Sequence, residues 1–168
     1  MFWLGQSLFF NLLKRLIHYQ FPDVRSLSTV DLSQWLETPA QPQPILLDAR
    51  SQAEFAVSHL KTAWWIDPKM PDWKALAEFK GAAIVVYCSV GYRSARLAQQ
   101  LQQAGFSNVL NLEGSLFQWA NEGRPLVCEG HTTQVVHPYN TCWGLLLKPE
   151  HRLGEPDQET KASRNRGI

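Results

Sequence analysis

Residues 82–94 read Ala82-Ala83-Ile84-Val85-Val86-Tyr87-Cys88-Ser89-Val90-Gly91-Tyr92-Arg93-Ser94. The first six form a continuous, β-branched apolar run, the pattern of a strand covered on both faces. From Ser94 to Gln103, apolar residues return at helical spacing (Ala95, Leu97, Ala98, Leu101), and Gly105 follows where a helix-ending glycine belongs. The stretch is therefore read as strand, tight turn and helix.

The same alternation continues on either side. Ile45-Leu46-Leu47 ending at Asp48, Ala63-Trp64-Trp65-Ile66 and Val109-Leu110-Asn111-Leu112 are further short apolar runs. Between them lie helical patterns. One is capped at Ser28 or Thr29 and carries Val30, Leu32, Trp35 and Leu36. A second opens with the capping box Ser51–Glu54, with Phe55 turned inward. A third is set by Trp73, Leu76 and Phe79 before Gly81, and a fourth by Leu116, Phe117 and Trp119 before Gly123. Regular alternation of strands and helices predicts an α/β fold with a mainly parallel central sheet flanked by helices.

The two ends differ from this core. Phe2, Phe9, Leu12, Leu13, Leu16 and Ile17 repeat at roughly helical spacing, which predicts an amphipathic helix over residues 2–19. Gly5, Gln6, Ser7, Asn11 and Lys14 interrupt it, it is short for a membrane span, and it lacks the basic start and cleavage site of a signal peptide. The expectation is that its apolar face packs on the protein's own core. Peripheral contact with a membrane surface through residues 2–17 is the alternative. After Val127, Val135, Val136, Tyr139, Trp143 and Leu145-Leu146-Leu147 give the chain material to pack with, but no period. Glu155 to Ile168 has almost nothing to bury and is expected to be mobile.

Composition bounds the function. The chain has 168 residues, 45% apolar and 18% charged, with a formal charge of +1. That length can bury a core without staples, and no global basic field points to a nucleic-acid partner. Three cysteines are too few and too scattered for a secreted disulfide framework, and suit a reducing, cytoplasmic setting. Cys128 and Cys142, with His131 and His137 near them, lack the paired short spacings of a zinc site, so no metal is expected. Lys148, His151, Arg152, Lys161, Arg164 and Arg166 make the end mildly basic without any RNA-binding motif.

The chemistry lies at the end of the first stretch. Cys88 sits where a strand ends and a helix begins, and the positive end of the helix dipole favours thiolate over thiol. Gly91 permits a turn with positive φ. If the turn curls, the backbone N–H groups of Ser89, Val90, Gly91, Tyr92 and Arg93 point inward and form a nest for an anion. Arg93 adds a guanidinium that rims the nest or pairs with a carboxylate. A buried, inert cysteine is the plainer alternative for such a residue. The glycine, the arginine and the helix start favour a nucleophile.

These residues resemble the active-site loop of the rhodanese-like sulfurtransferases, a cysteine followed by four residues and an arginine. Ile45-Leu46-Leu47-Asp48-Ala49-Arg50 resembles that family's strand ending in Asp-x-Arg. Glu54-Phe55 with His59-Leu60 and Ala63, and Leu112-Glu113-Gly114 with Trp119 and Gly123-Arg124-Pro125-Leu126, resemble two further segments, in the family's order. Ser58 and Glu113 stand where the family usually has glycine. Phe21-Pro22-Asp23-Val24-Arg25 and Val136-His137-Pro138-Tyr139-Asn140 resemble a bacterial, cyanobacterial-like branch. The resemblance covers residues 26–127. It leaves residues 1–25 as a helix and linker, and 128–168 as an extension.

The resemblance implies sulfane-sulfur transfer. Cys88 would attack a small anionic donor such as thiosulfate and hold the sulfur as a persulfide. A thiol, cyanide or a protein acceptor would then take it, with no cofactor. Asp48, Arg50 and Ser94 would brace the loops. Cysteine phosphatases place five residues between cysteine and arginine, so a phosphatase or arsenate reductase ranks lower. A non-catalytic sulfur carrier or docking module is the main alternative. Cys128, just past the last core segment, is a candidate resolving thiol.

Overall fold

The computed structural model describes residues 2–154, with side chains from residue 7 onward. The expectations made for the Phe2 side chain and for Glu155–Ile168 lie outside the described residues.

In chain order the elements are α1 (Phe2–Gln20), β1 (Arg25–Leu27), α2 (Thr29–Leu36), β2 (Ile45–Asp48), α3 (Gln52–Val57), β3 (Trp64–Trp65), β4 (Ile84–Tyr87), α4 (Tyr92–Gln103), β5 (Val109–Leu112), α5 (Ser115–Asn121), β6 (Leu126–Cys128), β7 (His131–Thr133) and α6 (Thr141–Gly144). Five strands form one sheet in the order β1-β5-β4-β2-β3, and every pairing is parallel. The fold is α/β with a parallel sheet, as the alternation of patterns predicts.

The apolar runs occupy the middle of that sheet. All four residues of β4 are fully buried, and β5 is buried throughout. Strand β4 lies between β2 and β5, with Leu46 opposite Val85 and Val85 opposite Leu110. The chain moves outward from β2 to β3 and outward on the other side from β4 to β5. The carboxyl ends of β2 and β4 therefore flank a topological switch point, where parallel sheets hold their ligands. Cys88 is the first residue past β4 at that point.

Buried polar pairs brace the turns there. Arg50 and Asp48 are both 0% exposed, and Arg50 Nε and Nη2 reach the Asp48 carboxylate at 2.9 and 2.7 Å. Arg50 Nη2 also donates to the Ser58 carbonyl, and Trp65 Nε1 donates to the Arg50 carbonyl at 2.9 Å. The pair thus ties the ends of β2, α3 and β3 together.

Two local expectations need correction, and one strand had no apolar signal. The pattern at Trp73, Leu76 and Phe79 yields only a single 3-10 turn over Ala77–Phe79. There the Asp72 carboxylate takes the N–H groups of Lys74 and Ala75, local bonds that compete with a longer helix. Strand β1 has no apolar run and exists because its backbone completes the β5 edge. Helix α1 buries Phe10, Leu13 and Ile17, whereas Phe9, Leu12 and Leu16 of the expected face are exposed. Its apolar arc is wider than one packed face: one side meets the core and the adjacent side, with Leu8 and Tyr19, meets solvent.

The region after Val127 gains structure from tertiary partners. β6 and β7 form an antiparallel hairpin, and Val127 pairs with His59. Val136 and Leu147 are fully buried.

Ser58 is fully buried and its hydroxyl has no hydrogen-bond partner among the described residues. Its backbone is extended (φ −170°, ψ 154°), which alanine also adopts. Removing an unsatisfied buried hydroxyl relieves its desolvation penalty. Ser58→Ala is expected to stabilise the protein by about 1 kcal/mol, read as a rise in Tm of roughly 2–4 °C.

Candidate active site

The loop after β4 curls around the Cys88 sulfur. Gly91 has φ +109°, a conformation in which any side chain is strained. This lets the Gly91 N–H turn back and donate to Cys88 Sγ at 3.1 Å. Ser94, in the first turn of α4, places its hydroxyl 3.5 Å from Sγ and 2.7 Å from Asn111 Oδ1. Its single proton is shared between these two acceptors. Asn111 in turn donates to the Gly91 carbonyl at 3.1 Å, fixing the turn from β5.

A second helix holds the start of the loop. The N–H groups of Leu116 and Phe117, at the start of α5, donate to the Cys88 and Ser89 carbonyls at 3.1 and 2.9 Å. The Cys88 N–H donates to Ser115 Oγ at 3.1 Å, and that hydroxyl donates to the Leu112 carbonyl at 3.0 Å. Ser115 takes φ +50°, rare for a residue with a side chain.

The charged part is organised by Glu54. This carboxylate is 1% exposed. It accepts from Arg93 Nη1 and Nη2 at 2.9 and 2.8 Å, from Ser89 Oγ at 2.9 Å, and from the Ser51 N–H at 2.9 Å. Burial raises its pKa, but the bonds from Arg93 and Ser51 outweigh burial and lower it to about 2. Arg93, paired in this way, is held further above its already high value. Burial also pushes the Cys88 thiol up. The charge of Arg93 and the hydrogen bonds from Ser94 and Gly91 exceed that effect, so the thiol lies below its ordinary value.

Of the residues picked from sequence, Cys88, Ser89, Val90, Tyr92 and Arg93 line one cavity of about 350 Å³. Gly91 and Ser94 contact the sulfur from below. Ser94, read as a brace, is thus also a direct neighbour of the sulfur. Ser89 directs its hydroxyl to Glu54. Asp48 and Arg50 bind each other and do not line the cavity. Cys128 donates to the Ala56 carbonyl at 3.4 Å and is not among the lining residues.

Sequence reasoning missed Glu54 as part of the site, because a capping box already explained it. The capping is real, since Ser51 and Glu54 exchange both bonds. The remaining lone pairs meet Arg93 and Ser89, and those partners lie 35 and 39 residues away. Asn111 and Ser115 were also missed. A polar residue inside the apolar run Val109–Leu112 was the available signal for Asn111.

A family model for the rhodanese-like domain matches residues 28–122. The chain belongs to the rhodanese-like domain family. Three curated relatives agree over parts of their length. An uncharacterized protein of Synechocystis sp. is 34% identical over 83 residues, 49% of this chain and 46% of that protein. A sulfurtransferase of Allochromatium vinosum is 32% identical over 83 residues, 49% of this chain and 78% of that protein. A tRNA uridine(34) hydroxylase of Acinetobacter baumannii is 31% identical over 104 residues, 57% of this chain and 32% of that protein. The chain therefore matches less than half the length of two of these three relatives. A rhodanese-related protein of Thermoplasma volcanium superposes with TM-score 0.55 at 28% identity, covering 62% of this chain and 99% of that one.

Iodoacetamide alkylation of Cys88, followed by peptide mass spectrometry against pH, is expected to show a midpoint below that of a free thiol. Arg93→Gln is expected to move that midpoint up, because the largest stabilising charge is gone. Glu54→Gln leaves Arg93 without its partner and is expected to cost ~2–4 kcal/mol in urea unfolding. The folded-state pKa of Glu54 is depressed, so its contribution is complete above the unfolded value near 4.5 and is lost as pH falls through about 2. Urea midpoints of wild type are therefore expected to fall more steeply over that range than those of Glu54→Gln.

Proposed function

We propose that this chain is a sulfurtransferase that carries a sulfane sulfur on Cys88. The observation that supports it best is the Gly91 N–H at 3.1 Å from a buried Sγ, at the start of α4 and near Arg93. A preformed donor aimed at a sulfur anion serves the thiolate, and the persulfide that replaces it, without reorganisation.

The Cys88 thiolate attacks the outer sulfur of a donor such as thiosulfate. The new bond is Cys88 Sγ–S, the donor S–S bond breaks, and sulfite leaves with the electron pair. The persulfide Cys88–S–S⁻ remains. Cyanide, a thiol or a protein persulfide acceptor attacks the outer sulfur, takes it, and returns the thiolate. These two half-reactions give ping-pong kinetics. Attack by the ionised thiol needs no base, and the lowered pKa favours that form, while Gly91, Ser94 and the α4 N-terminus hold the negative charge in both resting states.

A loop with four residues between Cys88 and Arg93 disfavours phosphoryl transfer, and Arg93 is committed to Glu54 rather than free to clasp a phosphate. All three cysteines are unpaired, which suits a reducing, cytoplasmic setting. Among the described residues no helix is long and apolar enough to cross a membrane.

The test is thiocyanate production from cyanide, with thiosulfate and an aryl thiosulfonate as separate donors. Wild type is expected to turn over with at least one donor and to gain one sulfur atom on Cys88 by intact mass. Cys88→Ser is expected to lose activity by at least about a thousandfold. A folded wild type that gains sulfur without turnover would be a carrier, and one that gains none would refute the proposal.

A further inference from the structure

The cavity over Cys88 is built from two sources. Its floor is the loop: Cys88, Ser89, Val90, Tyr92 and Arg93. Its walls are Leu13 and Leu16 of α1, with Tyr139 and Trp143 of the C-terminal extension. All four wall residues lie outside the 28–122 family match.

The walls are held in place. Ile17 packs 3.5 Å from where a Gly91 side chain would begin, so α1 rests on the loop itself. Phe21 meets the Tyr92 ring edge-on at 5.6 Å. The Phe9 and Trp143 rings meet edge-on at 6.2 Å, which links α1 to the extension across the cavity. Asn140 caps α6 through the Trp143 N–H at 3.0 Å. Tyr139 takes φ +65°, a costly backbone state for an aromatic residue, and its ring lies over the Arg93 guanidinium at 4.7 Å.

Charge then discriminates between donors. Among the described residues, Arg93 is the only charged side chain lining the cavity. Glu54 holds it through both terminal nitrogens and Tyr139 covers its face. Arg93 and Glu54 cancel, so a Cys88 thiolate leaves the site with one net negative charge. Thiosulfate carries two charges and would give up its hydration without gaining a free cation. A donor with one charge and an apolar body loses less water and covers the leucine and aromatic walls.

Resting on the sulfur-carrying role of Cys88, we propose that α1 and the C-terminal extension form a specificity wall, which selects an organic thiosulfonate, R–SO₂–S⁻ with an apolar R group, over thiosulfate. In the reaction the Cys88 thiolate attacks the terminal sulfur. The S–S bond to the sulfonyl breaks, and the sulfinate R–SO₂⁻ leaves with its electron pair. Cys88–S–S⁻ remains, so two negative charges enter and two remain. The R group stays between Leu16, Tyr139 and Trp143 while the terminal sulfur meets the loop.

The test compares kcat/KM for benzenethiosulfonate and for thiosulfate, with cyanide as acceptor, in wild type, Tyr139→Ala and Leu16→Gln. Tyr139 and Leu16 are half exposed, so neither change empties the core. Wild type is expected to prefer the aryl donor by about tenfold or more, and each variant to lose most of that preference. The ratio is the readout because partial misfolding lowers both rates together. A ratio near one in wild type, or a ratio unchanged in both variants, overturns the wall while sulfur transfer stands. Failure of both donors to place sulfur on Cys88 overturns the sulfur-transfer proposal and the wall with it.

Discussion

Glu54 is almost completely buried and still ionised, because residues from its own helix start and from one distant loop meet it. Ser51 supplies its N–H and its hydroxyl, while Ser89 and Arg93 of the loop supply the rest. The carboxylate fixes both the position of α3 against the loop and the direction in which Arg93 points. A buried ion pair of this kind adds little net stability compared with apolar packing, but half of it is far worse than the whole. The pair thus supports the curled form of the loop alongside Asn111 and the start of α5. The lowered pKa of the Cys88 thiol in turn draws on that form, from which Gly91 and Ser94 donate to the sulfur.

The same device appears on the neighbouring strand. Asp48 and Arg50 neutralise each other in the core, Arg50 Nη2 also fastens the Ser58 carbonyl, and the Arg50 carbonyl accepts from the Trp65 indole. Two buried carboxylate–arginine pairs thus stiffen the carboxyl ends of β2 and β4, where the switch of strand order opens a crevice. One pair lies beside the Cys88 loop, and the other ties β2, α3 and β3 together. Their residue types alone do not separate these roles; only the direction of the side chains does.

Around this family core, α1 and the extension after β6 give the site its outer shape. Each uses part of its apolar surface to pack and leaves part in solvent, with Leu8, Leu12 and Tyr19 on α1 and Leu145 on the extension. The N-terminal helix thus unites features of both sequence expectations for it, a packed face and an exposed apolar one.

Much of this was legible before any coordinates. The continuous runs at 45–48, 84–87 and 109–112 are strands because a strand covered on both faces needs apolar residues at every position. The curled loop of Cys88, Gly91 and Arg93 was legible because a cysteine at a strand end, a positive-φ turn and a helix start fall within one short stretch, where local sequence and local geometry coincide. β1 was not legible, since its hydrogen bonds belong to the β5 edge rather than to its own composition. Glu54 and Asn111 were not recognised, since their partners on the loop lie far away in the chain. Tyr139, Trp143, Leu13 and Leu16 meet at one cavity from opposite ends of the sequence. The sequence by itself determined the inner strands of the sheet and the curled loop, because those depend on periodicity and on neighbours in the chain. Only the tertiary structure decided which carboxylate holds Arg93 and which apolar residues wall the sulfur, because long-range packing sets those contacts and no local pattern encodes them.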